Sequence, residues 1–174
     1  PFLVYIIFST SPLEESSVWD LFVEMLGYAC LVVATLGRIW CLSYIGGYKD
    51  GALIIVGPYS IVRNPLYVFN FIGGVGFGLA TEHPEVAFGI ALIFFIYYPL
   101  VVWREERALE ARYGQRFLDY KRRTSGWWPN FRRFIEPEVY QVKPAFIRRS
   151  MLGSMWFLWL FMLWEIVEKL HYFG

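Results

Sequence analysis

Histidine and cysteine, which supply many metal ligands and nucleophiles, are scarce in this chain. Its 174 residues include only two of each. Cys30 and Cys41 lie in one apolar stretch, about 16 Å apart along a helix, whereas a disulfide requires Cα atoms within about 7 Å. We therefore expect no disulfide within that helix and no metal site. No Ser-His-Asp set, Walker loop or G-x-G-x-x-G helix start is present either.

Charged residues are also few, at 18% of the chain, whereas 57% of the residues are apolar and the mean hydropathy is +0.42. A soluble domain is usually about 45–50% apolar. A bilayer explains the excess, because a membrane-spanning helix needs roughly 20 mostly apolar residues. The length and the lack of internal repeats predict a single integral membrane domain over residues 1–174.

Five apolar stretches predict an all-α fold, a polytopic transmembrane helical bundle of about five spans. The first, Phe2–Phe8, is expected to be the end of a truncated span that begins before the numbered chain. The four later stretches contain few or no charged residues and are long enough to cross or enter a bilayer. They are Val18–Leu42, Leu66–Thr81, Val86–Trp103 and Ser150–Trp164, the last continuing to Val167.

The segments between these stretches differ in charge. Residues 9–17 and 82–85 contain glutamates but no lysine or arginine, whereas Arg104–Arg149 contains twelve basic residues against six acidic ones. Ser43–Pro65 adds two basic residues. Because cytoplasmic loops carry an excess of lysine and arginine, we expect the last two segments to be cytoplasmic. Their basic clusters are expected to face membrane lipids, not nucleic acid.

The first polar segment, Gly57–Tyr67, has the sequence G-P-Y-S-I-V-R-N-P-L-Y. Asn64 is a good N-cap and Pro65 a preferred first helical residue, so a helix is predicted to begin there. The N-terminus of that helix favours an anion, and Arg63 could add a bidentate contact. Alternatively, Asn-Pro only starts a membrane helix and Arg63 reaches lipid head groups.

The second polar segment, residues 103–120, continues the helix predicted over Val86–Trp103. Glu105, Leu109 and Tyr113 recur at i, i+4 and i+8, which predicts that Glu105 shares a face with packed residues. A carboxylate in that position needs a partner, such as ribose hydroxyls or an arginine. The alternative is a solvated helix with Glu–Arg pairs. Gly114 is expected to end or kink the helix.

The two segments, in this order and separated by one helical hairpin, resemble the isoprenylcysteine carboxyl methyltransferases and their phospholipid methyltransferase relatives. The family pattern G-P-Y-x-x-x-R-H-P-x-Y is similar to Gly57–Tyr67. The family's second block begins with E-E. A leucine, an aromatic-Gly pair, further aromatic residues and a hydrophobic-Pro end follow in that order. Glu105–Pro129 is similar to this block. The match covers roughly residues 45–130.

The resemblance implies a cytoplasmic pocket for S-adenosylmethionine, built from both segments within a core of about residues 45–130. A lipophilic or lipidated substrate would approach from the bilayer. Within that pocket, the helix start at Asn64 would bind the methionine carboxylate, and Glu105 or Glu106 the ribose. The candidate cofactor-binding residues are Tyr59, Arg63, Asn64, Pro65, Tyr67, Glu105 and Glu106. The candidate catalytic residues are Arg63, Asn64 and Arg104.

Asn64 departs from the family pattern, which has a histidine at this position. Asparagine keeps the N-cap but cannot accept a proton near neutral pH. If the family histidine contributes only backbone and shape, the replacement is mild. If it acts as a base, this protein must methylate a group that needs none, such as a carboxylate. Our leading hypothesis is methyl transfer to an isoprenylcysteine-like or related lipid carboxylate. The alternatives are N-methylation of a phospholipid amine and a non-catalytic membrane protein that retains the fold.

Overall fold

The computed structural model describes residues 18–46, 51–81 and 84–172. The regular structure in these residues consists of seven α-helices and one 3₁₀ turn, Phe131–Arg133. These residues contain no strand, in agreement with the predicted all-α fold. The predicted stretch Phe2–Phe8 lies outside the described residues. The helices are α1 (Val18–Ile45), α2 (Pro58–Ile61), α3 (Pro65–Ala80), α4 (Pro84–Tyr113), α5 (Gln115–Arg123), α6 (Pro144–Ser154) and α7 (Trp156–Tyr172).

Three predicted helices are confirmed. Helices α1 and α4 contain the stretches predicted from hydropathy, and α3 matches its stretch to within one residue at each end. Pro65 is the first residue of α3, as predicted. Helix α4 continues into the second polar segment as far as Tyr113, where Gly114, with a φ of 53°, ends it. Glycine adopts such a positive φ without the steric cost that a Cβ would add.

The stretch Ser150–Trp164, which was expected to be tilted, kinked or partly interfacial if not a full span, is divided between two helices. Helix α6 ends at Ser154 and α7 begins at Trp156, because the chain turns at Met155. Ser154, which is fully buried, lies at this break. Hydropathy measures how well a segment tolerates an apolar environment. It therefore does not distinguish one long helix from two helices that are joined by a turn within the same apolar segment.

Helices α1 and α4 are long and apolar enough to cross a membrane. Their 28 and 30 residues correspond to about 42 and 45 Å,, compared with about 30 Å for the hydrocarbon core of a bilayer. Large apolar side chains are exposed on both helices, for example Leu36 at 62% and Phe95 at 66%. Helices α3 and α7, with 16 and 17 residues, are shorter. The helices described here therefore do not establish five spans.

Helix α3 packs between α1 and α4, and glycines allow the backbones to approach closely,. A Cβ on Gly27 would lie 2.5 Å from the backbone nitrogen of Ala80, and one on Gly76 would lie 2.5 Å from the Cβ of Cys30. On the other side of α3, a Cβ on Gly78 would lie 2.4 Å from the backbone nitrogen of Ala87. A Cβ on Gly74 would likewise lie 2.8 Å from Cγ2 of Ile90, so α3 also packs closely against α4.

We predict that Gly27→Ala lowers the thermal stability of the detergent-purified protein, because the added methyl group meets backbone atoms of α3 that cannot rotate away. Overpacking of this kind costs about 1–3 kcal/mol. The matched control is Gly153→Ala on α6, where an added Cβ meets nothing within 4 Å. Equal unfolding midpoints for the two variants would contradict close packing of α1 on α3.

Candidate functional site

The Arg63 side chain joins the residues that precede α3 to both α4 and α5. Its Nε and Nη2 atoms donate to Oε1 of Glu106 at 3.1 and 2.9 Å. Its Nη1 atom donates to the backbone carbonyls of Lys121, at 2.8 Å, and Thr124. The guanidinium is only 14% exposed, so it needs these acceptors to offset the loss of water,. Arg63 therefore connects the two polar segments of the sequence.

Glu106 uses both carboxylate oxygens in ion pairs. Oε1 binds Arg63, and Oε2 lies 2.7 Å from Nζ of Lys121. The Glu106 side chain is 13% exposed, and two cations compensate its negative charge. The family resemblance implied that Arg63 and Glu106 belong to one site, and in the structure the two side chains are in direct contact. Binding of a cofactor by either residue stays a prediction.

The two adjacent glutamates are oriented differently from the prediction. Glu105 is exposed, whereas Glu106 turns inward and shares a helical face with Leu109 and Tyr113, at i+3 and i+7. Neighbouring residues on an α-helix point about 100° apart. A prediction that shifts the packed face of the helix by one residue therefore exchanges the environments of Glu105 and Glu106. Glu105 is consequently the more accessible carboxylate of the pair.

Glu105 lies where the start of α3 meets α4. Its carboxylate is close enough to the Tyr67 hydroxyl to interact with it. The half-buried Tyr67 ring packs edge-on against Tyr98 of α4, with 5.0 Å between ring centroids. Two of the residues predicted to bind a cofactor, Tyr67 and Glu105, thus come together from different segments.

Asn64 occupies the N-cap position of α3, as predicted, but its side chain does not cap the helix. Its Nδ2 atom instead donates to the Gly126 carbonyl at 3.0 Å, and Pro65 follows it, fully buried. A Cβ on Gly126 would lie 3.1 Å from Nη2 of Arg63. The side chains of Arg63 and Asn64 therefore both hold the loop after α5 against the start of α3.

Tyr59 is buried in a cluster with Cys41 and Tyr44. Its hydroxyl donates to the Cys41 carbonyl at 3.5 Å, and its own carbonyl accepts from the Tyr120 hydroxyl at 2.7 Å. Burial raises the pKa of both Tyr59 and Tyr120, so both phenols stay protonated as these donor roles require. Contact between Tyr59 and a cofactor stays a prediction, and its observed contacts are packing contacts.

Arg104, a catalytic candidate, is exposed on α4 beside Glu105. On the preceding residue, Trp103, the indole ring is 52% exposed, and the Arg107 guanidinium lies over it at 4.1 Å from the centroid. This part of α4 therefore presents several polar and aromatic groups to the surroundings. A catalytic role for Arg104 stays a prediction.

The contacts made by Lys121, near the end of α5, and by the loop after α5 were not anticipated from the sequence. Lys121 belongs to a basic cluster that was assigned to lipid head groups, yet it pairs with Glu106. Thr124, Ser125 and Gly126 contribute backbone carbonyls, which any residue has and which therefore leave no pattern in the sequence. Trp127 packs edge-on against Phe94 of α4, at 5.7 Å between centroids. Trp127 lies in the second block of the family resemblance, and this was the feature of the sequence that could have indicated its part in the site.

In the described part of the chain, no three His, Cys, Asp or Glu residues are grouped so that they could hold a metal ion. Residues 20–116 match the phospholipid methyltransferase family, a span that includes both Arg63 and Glu106. This chain belongs to the phospholipid methyltransferase family. The resemblance drawn from the two polar segments is thereby confirmed.

The phospholipid methyltransferases are membrane-associated and generally use S-adenosylmethionine. The chain is 40% identical over 160 residues to the nickel-cobalt-cadmium resistance protein NccN of Alcaligenes xylosoxydans xylosoxydans, covering 87% of this chain and 73% of the relative. It is 36% identical over 146 residues to the cobalt-zinc-cadmium resistance protein CzcN of Cupriavidus metallidurans, covering 84% and 67%. No solved structure matches the chain significantly.

We predict that Glu106→Gln destabilises this family member by about 1–3 kcal/mol, because it leaves the partly buried Arg63 guanidinium without its charged acceptor. Asp119→Asn is the control, because Asp119 is 47% exposed, lies 3.7 Å from Arg122 and otherwise accepts an exposed hydrogen bond from Gln115 that an asparagine oxygen can also accept. Such surface pairs contribute little. Thermal unfolding in detergent measures both effects. A loss no larger for Glu106→Gln than for Asp119→Asn would contradict the role given to the Arg63–Glu106 pair.

Proposed function

We propose that this protein is an integral membrane methyltransferase that transfers a methyl group from S-adenosylmethionine to the carboxylate of a lipophilic acceptor. The proposal rests on one observation, that the two polar segments meet at one face. There Tyr67 lies beside the accessible Glu105. The ion pair between Arg63 and Glu106 holds the two segments together. Membership of the phospholipid methyltransferase family supports the reaction class.

The residues at this face suit parts of S-adenosylmethionine. The exposed Glu105 carboxylate can accept hydrogen bonds from ribose hydroxyls. The N-terminus of α3 carries a partial positive charge that favours the methionine carboxylate. The Tyr67 ring can contact the sulfonium cation through its π face. Arg63 and Glu106 are occupied by each other and by Lys121, so we assign them to positioning of the two segments.

The chain's part in the reaction is mainly alignment. When bound, S-adenosylmethionine supplies a methyl group that forms a C–O bond with the acceptor carboxylate as the C–S bond breaks and sulfur keeps its electron pair. The positive and negative charges disappear together, so no proton has to be removed. The chain needs to hold the acceptor oxygen in line with the methyl group and to exclude water. Asn64, which is not a base near neutral pH, suits such a reaction.

We further propose that the protein spans the membrane several times with the catalytic face in the cytoplasm. The length and apolar character of α1 and α4 support a membrane location. The excess of basic residues over acidic ones in Arg104–Arg149 supports the orientation,. Both polar segments would then lie at the face that meets cytoplasmic S-adenosylmethionine.

The metal resistance named for the two relatives describes a physiological role and not a chemical reaction. Methylation of a membrane component is compatible with such a role, because it changes the charge or polarity of that component. If this chain contributes to metal tolerance, we propose that it does so through its methylated product.

We predict that the detergent-purified protein binds S-adenosylhomocysteine with micromolar affinity, measured by isothermal titration. Glu105→Gln should weaken binding about tenfold, because a hydrogen bond to a charged group contributes about 1.5–3 kcal/mol. Glu110→Gln is the matched control, since Glu110 is exposed on the same helix outside the face described above.

Unchanged affinity in Glu105→Gln would remove Glu105 from the cofactor site but would leave the methyltransferase proposal in place. Absence of binding by the folded wild-type protein would contradict the methyltransferase proposal itself. The non-catalytic membrane protein would then be the better account.

We predict that the methylated product is an ester. With S-adenosylmethionine labelled in the methyl group and a membrane lipid extract, mild alkali should release the label as volatile methanol. A control incubation without protein gives the background. Label that stays non-volatile after alkali, in the lipid or in the water-soluble fraction, would identify N-methylation of a lipid amine and contradict the carboxylate acceptor.

A further inference from the structure

A cavity of about 460 Å³ lies between α1, α3, α4 and α7. Its lining is mostly apolar and includes Ile93 and Phe94 of α4 and Trp156 and Leu160 of α7. The volume falls in the range of roughly 300–1,000 Å³ that is usual for small-molecule sites. Such walls fit an alkyl or isoprenoid chain.

Two polar side chains also line this cavity, Arg38 of α1 and Asn70 of α3. The Arg38 guanidinium donates a hydrogen bond to the side-chain oxygen of Asn70. A charged residue inside an apolar, membrane-length helix is costly, and such residues often mark a functional site. Because a guanidinium has five N–H groups, one side chain can bind Asn70 and a ligand in the cavity together.

The cavity adjoins the face at which the two polar segments meet. Tyr98 lines the cavity and also contacts the ring of Tyr67, which lies beside Glu105. Asn70 is six residues after Asn64, which places it about 9 Å further along α3. A molecule in the cavity would therefore lie next to the proposed cofactor site, on its membrane side.

We infer that this cavity binds the methyl acceptor as a lipophilic monocarboxylate, with its charge recognised by Arg38 and Asn70 and its chain held by the apolar walls. The inference rests on the proposed function, because that function makes the ligand a methyl acceptor. Among the described residues that line the cavity, Arg38 carries the single charge. A singly charged anion matches it, whereas a protonated lipid amine would meet a like charge.

The experiment uses palmitic acid with a diazirine in mid-chain as a photoreactive probe of the detergent-purified full chain. Peptide mass spectrometry locates the labelled residues, which we expect in α4 and α7 around Ile93 and Leu160. Unlabelled palmitate should compete at least about tenfold better than palmityl alcohol or palmityl amine, because a hydrogen bond to a charged group is lost with either of them. N-acetyl-S-farnesylcysteine, as a second competitor, distinguishes a prenylated carboxylate from a fatty acid.

Variants of the polar pair test recognition of the charge. Arg38→Gln should reduce labelling by the acid about tenfold and leave labelling by the corresponding alcohol probe unchanged, whereas Arg38→Lys should retain the preference for the acid. Asn70→Asp should abolish that preference, because its new carboxylate would pair with Arg38. Arg116→Gln is the control, since Arg116 is exposed on α5. Equal labelling by acid, alcohol and amine, or an unchanged preference in folded Arg38→Gln, would overturn the inference.

Probe binding does not depend on the cofactor, so the two proposals can fail separately. Selective labelling by the acid without binding of S-adenosylhomocysteine would support the carboxylate site and contradict the methyltransferase. Binding of S-adenosylhomocysteine without selective labelling would support the methyltransferase and overturn the acceptor site.

Discussion

The ion pair between Arg63 and Glu106 is the contact on which the arrangement of both polar segments depends. It is made by side chains 43 positions apart in the sequence, and it is extended by the Lys121 ammonium and by the backbone carbonyls of Lys121 in α5 and Thr124 just after it. The side chains of Arg63 and Glu106 are largely shielded from water, so each of them needs partners that compensate its charge. The pair thereby fixes the start of α3 against α4, which brings Tyr67 beside Glu105.

The second constraint is the close approach of the helices that carry these segments. Glycines on α1 and α3 let the two backbones meet without intervening side chains, and Gly78 does the same for α3 and α4. Larger residues would separate the helices and move Tyr67 away from Tyr98. Packing inside the bundle and geometry at the site are therefore linked through α3, which contributes to both.

The helices and their ends could be predicted because the relevant forces act locally. Asn64 and Pro65 mark the start of α3, and Gly114 ends α4, through backbone preferences that neighbouring residues do not override,. The inward orientation of Glu106 was not predicted, since it depends on Arg63 and Lys121, which lie on other elements. The turn at Met155 and the cavity beside Arg38 likewise depend on how separate helices meet.

We propose that the two polar segments form one site for S-adenosylmethionine. Hydrogen–deuterium exchange of the detergent-purified protein, with and without S-adenosylhomocysteine, tests this arrangement, because the measurement reports each backbone segment separately. We expect slower exchange in residues 63–70 and in residues 103–110 together, with little change in the N-terminal half of α1. Slower exchange in only one of the two segments, or in neither, would contradict the claim.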